Sequence, residues 1–210
     1  MTKSLFITFI LWVAEVFLIA VLVSDQWLTD MQAAEDRMII EYLGADNDQR
    51  IREESTAVFN ALLVQTGIKQ NVYHFFIPTK AEREKSVGFE NFGQTDYFPF
   101  VQSKLDVLFG TFYQSLRRFF LLCSWWPFLI ASVVPCAVDG LVQRKIKQTN
   151  FDYSSPLAHR YSFYAVIGIV YLLMLGLTFP FPVPPQAMPI ACVLIALAMN
   201  IYFAHTQKRV

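Results

Sequence analysis

The residues able to do chemistry are few, and most of them stand alone. Glu15 is the single charge in an apolar run from Leu5 to Val23, LFITFILWVAEVFLIAVLV. An ionised carboxylate at the centre of a bilayer costs on the order of 3 kcal/mol. Glu15 therefore serves either in a proton or ion relay or as a protonated group whose hydrogen bond specifies how its helix pairs. A relay needs polar company at the same depth, and the other apolar stretches offer only Ser124, Ser132, Thr178, Asn200 and a few tyrosines. Helix pairing is the expected role. Asp139 and Gly140 close a second apolar stretch just ahead of Arg144, Lys145 and Lys147, and a salt bridge from Asp139 to Arg144 or Arg160 is expected to fix that loop. His74, His159 and His205 are far apart in the chain, which argues against a metal site or a triad. Cys123, Cys136 and Cys192 lie in apolar stretches without metal-ligand spacing and read as small buried hydrophobes. With no glycine-rich phosphate loop, GxSxG or HExxH, the chain is not expected to be an enzyme or to hold a cofactor.

The elements that must position these residues follow from composition. Of the 210 residues 55% are hydrophobic and 16% charged, against roughly a quarter charged in a soluble domain. The charges cluster between Asp25 and Arg118, leaving four stretches almost free of them. The expected fold is an all-α polytopic membrane protein with four transmembrane helices and an extracytoplasmic helical segment between the first and second. A span needs about 20 apolar residues. The candidates are Leu5–Val23, Phe119–Val138, Tyr161–Phe179 and Met188–Ala204. The first run is too long for a signal peptide and lacks a small-residue cleavage site, so it reads as a retained anchor, with Trp27 in the headgroup belt. Pro127 and Pro135 are expected to kink the second span. Pro180, Pro182, Pro184 and Pro185 force an extended turn between the third and fourth.

Lysine and arginine in short loops stay in the cytoplasm. Arg144, Lys145, Lys147 and Arg160 between spans two and three, Lys3 near the start and Lys208 and Arg209 at the end place both termini inside; only Arg117 and Arg118 dissent. This divides the chain into 1–23, an N-terminal tail and anchor; 24–117, the outer segment; and 118–210, a three-helix membrane portion with its basic cytoplasmic loop at 140–160. Residues 24–116 carry fourteen acids against eight bases. Leu28, Met31, Glu35, Met38 and Tyr42 step at helical intervals and predict a helix continuing out of the membrane. Asp46 or Asn47 can cap a second helix bearing Ile51, Val58 and Leu62 and closing near Gly67. Residues 70–99 read as loop with a short strand at Asn71–Ile77. Leu105, Leu108, Phe112, Leu116 and Phe119 then share the face of a helix entering span two. With a net charge of zero, direct nucleic-acid binding is not expected. The basic loop suits membrane lipids, and a weak outer core makes a homo-oligomer plausible.

The stretch WWPFLIASVVPCAVDGLVQRKIKQTNFDYSSPLAHRYSF carries a P-x-x-x-D-G unit (Pro135, Asp139, Gly140), a basic segment (Arg144, Lys145, Ile146), then Tyr153 and His159 ahead of the next span. It resembles the integrating conjugative element membrane proteins, a family of conjugation-linked bacterial inner-membrane proteins of unknown function. Length and four-span layout agree across most of the chain; the outer segment carries no signature. The resemblance implies a membrane accessory or scaffold subunit of a conjugative DNA-transfer, type IV secretion, apparatus. Its partner would be the type IV coupling ATPase or another conjugation-channel membrane protein. Two alternatives remain: a small ion-coupled transporter using Glu15, and a surface exclusion factor acting through residues 24–117. The interaction or structural candidates are Glu15, Asp139, Gly140, Arg144, Lys145, Lys147, His159 and Arg160.

Overall fold

A computed structural model describes residues 10, 14–77, 97–150 and 155–206, with the side chain of Tyr97 excepted. Every regular element among them is helical: α1 (Asp25–Leu43), α2 (Ala45–Phe59) with a π-helical turn (Asn60–Val64), α3 (Ile68–Phe76), α4 (Tyr97–Ser124), α5 (Trp126–Thr149), α6 (Pro156–Thr178) and α7 (Ala187–Ala204).

Among the described residues three helices, α5, α6 and α7, are long and apolar enough to cross a membrane. The third and fourth expected spans match α6 and α7 closely. The second is displaced: the helix breaks in a turn at Trp125, so the apolar segment begins at Trp126 rather than Phe119. Pro127 thus falls in the first turn of α5, where a missing N–H is harmless, and only Pro135 is internal. Of the first expected span, Leu5–Val23, residues 5–9 and 11–13 lie outside the described residues, and Ile10 and residues 14–22 are helical.

The chain divides into two compact units, one comprising residues up to Phe120 with Leu177–Pro182, the other Leu121–Gly176 with Val183 onward. In the first unit the helix at 14–22 does not run on into α1, as the sequence suggested. Val23 and Ser24 interrupt it, and Ser24 caps α1 by accepting from the Trp27 N–H at 3.2 Å. In one continuous helix Glu15 and Glu35 would stand about 30 Å apart, at ~1.5 Å per residue. Instead Glu15 feels the charge of Arg118, the residue that pairs with Glu35, so the chain doubles back at the break. Lys104 secures the corner, its ammonium donating to the carbonyls of Val21 and Val23 at 2.8 and 3.0 Å.

Helix α4 runs parallel to α1, with Gln32 reaching the Gly110 carbonyl and Asp36 meeting Arg117 further along. It runs antiparallel to α2, whose Asp48 meets Arg117 and whose Thr56 meets Tyr113 at 3.3 Å. Leu28, Met31 and Val107 form one apolar cluster here, with Val23 against them. Gly44 alone, at φ 85°, separates α1 from α2, so neither Asp46 nor Asn47 is the cap; Asn47 bonds back to the Leu43 carbonyl. The expected close at Gly67 is met, by a left-handed residue at φ 74°. The expected strand at Asn71–Ile77 is helix α3 instead. Its Tyr73 stacks on Phe109 with ring centres 5.6 Å apart and donates to Asp106. Burial and the facing carboxylate raise the Tyr73 pKa well above that of a free phenol, which keeps the hydroxyl a donor. Residues 78–96 lie outside the described residues. Helix α4 is also rotated from expectation. It buries Leu105, Val107, Thr111, Gln114, Arg117 and Arg118 and leaves Phe119 exposed, because its polar side chains find their partners inward.

In the second unit α7 packs along α5, presenting Met188, Ala191, Cys192, Ala196 and Ala198 as buried positions. Small side chains let membrane helices approach closely where apolar burial gives no drive of its own.

Candidate functional site

The densest polar constellation among the described residues brings together side chains that the sequence did not mark as a site. Arg117 and Arg118, read there as a break in the charge asymmetry, lie on α4 opposite the acidic doublet Glu35 and Asp36 of α1. Arg118 is 1% exposed and Glu35 2%. The Arg118 Nε donates to Glu35 Oε1 at 3.0 Å, while Gln114 donates to the other carboxylate oxygen. The rest of the guanidinium fork holds a turn of backbone, donating to the carbonyls of Phe179 at 2.6 Å, Phe181 at 2.8 Å and Leu177 at 3.3 Å. Only arginine offers five donors in a rigid plane, enough for a carboxylate and three carbonyls together. Arg117 pairs with Asp36 and, at 3.0 Å, with Asp48; Arg52 closes the ring on both carboxylates at 2.7 and 2.6 Å. The signal for this arrangement was present as two adjacent acids in one helix and two adjacent bases in another.

The turn that Arg118 grips is held twice more. Trp27 donates through Nε1 to the Pro180 carbonyl at 2.9 Å and meets the Phe181 ring edge-on at 5.9 Å. Glu15 hydrogen-bonds the Thr178 side chain. Its neighbours are therefore the last residue of α6 and the Arg118 guanidinium, which suits a pairing role better than a relay.

The Pro135–Asp139–Gly140 unit resolves into a helix crossing. A Cβ built on Gly140 would lie 2.5 Å from the Asn200 carbonyl oxygen and 3.1 Å from the Phe203 Cβ, so the missing side chain is what admits α7. Asn200 then bonds across the contact, donating to the Cys136 carbonyl at 2.9 Å and to Asp139 Oδ2 at 2.8 Å. Gln143 donates to the same carboxylate oxygen at 2.7 Å. The expected salt bridge from Asp139 to Arg144 or Arg160 is not among the ion pairs of the described residues: Asn200 and Gln143 take its place. Arg160 lies over the Tyr164 ring instead, at 5.6 Å.

A third cluster gathers at the end of α7. His159 stacks on Tyr202 with ring centres 4.3 Å apart and meets the Tyr202 carbonyl at 3.1 Å. His205 accepts the Ser155 N–H at 3.1 Å, and its Nε2 lies 3.3 Å from the Lys147 ammonium. Two histidines thus come together while His74 stays apart on α3, and no group of three or more metal-ligating side chains forms among the described residues. Burial, Lys147 and His159 all lower the His205 pKa. A histidine depressed in the folded state binds fewer protons folded than unfolded, so its contribution is intact above the ordinary value near 6.5 and fades as pH falls below it. Unfolding in detergent should accordingly show stability declining from pH 7 to pH 5, with a shallower decline for His205→Gln. Equal slopes would remove His205 from the account.

A family model described as IncC plasmid conjugative DNA transfer protein DtrJ-like matches residues 16–206. The chain belongs to this family. No curated protein and no solved structure matches it. The DtrJ-like assignment bears out the resemblance to a conjugation-linked family of unknown function. Its span takes in all three clusters, and Glu35, Asp36, Asp48 and Arg117 of the first fall in the segment where the sequence offered no signature.

Proposed function

We propose that this DtrJ-like protein is a non-enzymatic accessory or scaffold subunit of the conjugative DNA-transfer apparatus, seated in the bacterial inner membrane and associated with the type IV coupling ATPase. The family assignment supplies the link to plasmid transfer. The observation that favours a scaffold is the use made of the polar residues. Glu15, Asp139, Asn200 and Arg118 are each engaged in fastening one segment of the chain to another. Both termini are cytoplasmic in this proposal. Arg117 and Arg118, the residues that oppose that orientation, are two bases against seven, and both are committed to buried ion pairs within the fold.

The test is affinity purification of the tagged chain in mild detergent from cells carrying the whole conjugative element, with mass spectrometry of the eluate and mating frequency measured in parallel. The coupling ATPase should co-elute at near-stoichiometric yield, and Glu15→Gln should leave both yield and mating frequency within about threefold, or ~0.7 kcal/mol. Recovery of the chain alone from cells that still conjugate would defeat the partner assignment. Loss of mating by Glu15→Gln with the complex intact would favour an ion-coupled role.

A further inference from the structure

The basic residues that follow Gly140 do not all serve the fold. Lys147 is taken up by His205, and the carboxylate of α5 itself, Asp139, is taken up by Asn200 and Gln143. Arg144 and Lys145 are left without an ion pair among the described residues, and the Arg144 Nε is enclosed with no hydrogen-bond partner. Cations with no partner of their own favour an anionic acceptor from outside.

Both side chains border a groove of about 470 Å³ on the flank of α5, lined by Val138, Leu141, Val142, Arg144, Lys145 and Gln148. That volume lies within the roughly 300–1,000 Å³ usual for small-molecule sites. Its chemistry is graded along the helix. The first turn offers only Val138, Leu141 and Val142; the next adds two cations and the Gln148 amide, where α5 nears its end at Thr149. Simple phosphate would satisfy the cations and waste the apolar floor. A neutral acyl chain would do the reverse.

We propose that this groove binds one anionic phospholipid, its acyl chain along Val138, Leu141 and Val142 and its phosphate on Arg144 and Lys145. The site is more than the general attraction of a basic loop for an acidic leaflet, because it combines a concavity with two cations that lack an ion pair among the described residues. Val138, Leu141, Val142, Lys145 and Gln148 also stand off the face of α5 that carries Gly140 and meets α7, with Arg144 at its margin. Lipid occupancy therefore leaves the Asn200 contact undisturbed.

The full-length chain, purified in mild detergent, is titrated with phosphatidylglycerol or phosphatidylcholine and bound lipid is counted by native mass spectrometry. Phosphatidylglycerol should be retained in preference, as a single adduct. Arg144→Gln with Lys145→Gln should weaken it roughly 10- to 30-fold, at about a factor of five for each cation near the headgroup. Leu141→Trp, which fills the groove and spares both charges, should weaken it comparably. Lys147→Gln with Arg160→Gln removes the same charge outside the groove and should change retention by less than about threefold. The proposal fails if this control pair loses as much as the groove pair, since the attraction is then diffuse. It fails equally if Leu141→Trp retains phosphatidylglycerol unchanged, since the headgroup is then held without the groove, or if the two lipids bind alike.

Discussion

Arg118→Ala is expected to destabilise the protein by about 3–5 kcal/mol, the usual result of removing one partner from a buried ion pair. The loss has two parts. Glu35, 2% exposed, keeps its charge and its desolvation but loses the guanidinium, retaining the Gln114 amide. The carbonyls of Leu177, Phe179 and Phe181 lose their donor as well, in a turn where four prolines leave few backbone N–H groups to replace it. Since whole domains are stable by about 5–15 kcal/mol, a change of this size should show as reduced accumulation in cells and a lowered unfolding midpoint in detergent. Glu35→Gln should cost less, because Arg118 keeps its three carbonyl partners and an amide oxygen in place of the carboxylate. Replacing both, Arg118→Met with Glu35→Leu, removes the stranded charge and should recover part of the loss. The recovery stays incomplete because the carbonyls still lack a donor. If Arg118→Ala unfolds at the wild-type midpoint, the pair is not the fastening that its burial implies.

This network also marks where sequence reasoning stops. The apolar helices α6 and α7 were legible to within five residues at the start of α6 and one residue elsewhere, because some twenty mostly apolar side chains in a row have one common explanation. The helical segments after Ser24 were legible as segments, since periodicity is local. Their rotation was not. On α4 the pattern of Leu105, Leu108, Phe112, Leu116 and Phe119 pointed to one face, while the buried face carries Gln114, Arg117 and Arg118. Periodicity assigns polar residues outward, and it has no way to register that four carboxylates from α1, α2 and the 14–22 helix converge on two arginines. The same limit governed Asp139. Its partner was sought among nearby cations, and the residue that takes it is Asn200, 61 positions away on α7. His159 and His205, dismissed as distant, meet for the same reason. α3 was misread for a simpler cause: nine residues, IKQNVYHFF, are too few for a helical period to outweigh the strand propensity of their aromatic and β-branched members.

Gly140→Ala is expected to destabilise the protein by about 1–3 kcal/mol, against the ordinary trend for such a change. Within a helix alanine is favoured over glycine by about 1 kcal/mol, so at an open position the substitution is neutral or stabilising. At Gly140 the added Cβ would lie 2.5 Å from the Asn200 carbonyl oxygen and 3.3 Å from its carbon. These are backbone atoms, which cannot rotate aside, so α7 as a whole must retreat from α5. The Asn200 bonds to Cys136 and Asp139 then lengthen together. Interhelical hydrogen bonds in membranes are worth about 0.6 kcal/mol on average, so the steric term dominates and the polar term adds to it. The molecule carries its own control. Gly168, on α6, has nothing within 4 Å of the place where a Cβ would stand, and Gly168→Ala should leave the unfolding midpoint unchanged or raised. Opposite signs for the same chemical change at two helical glycines would locate the effect in the close approach of α5 and α7. If Gly140→Ala proves as harmless as Gly168→Ala, the two helices do not meet at that glycine, and the Asp139–Gly140 unit needs another explanation.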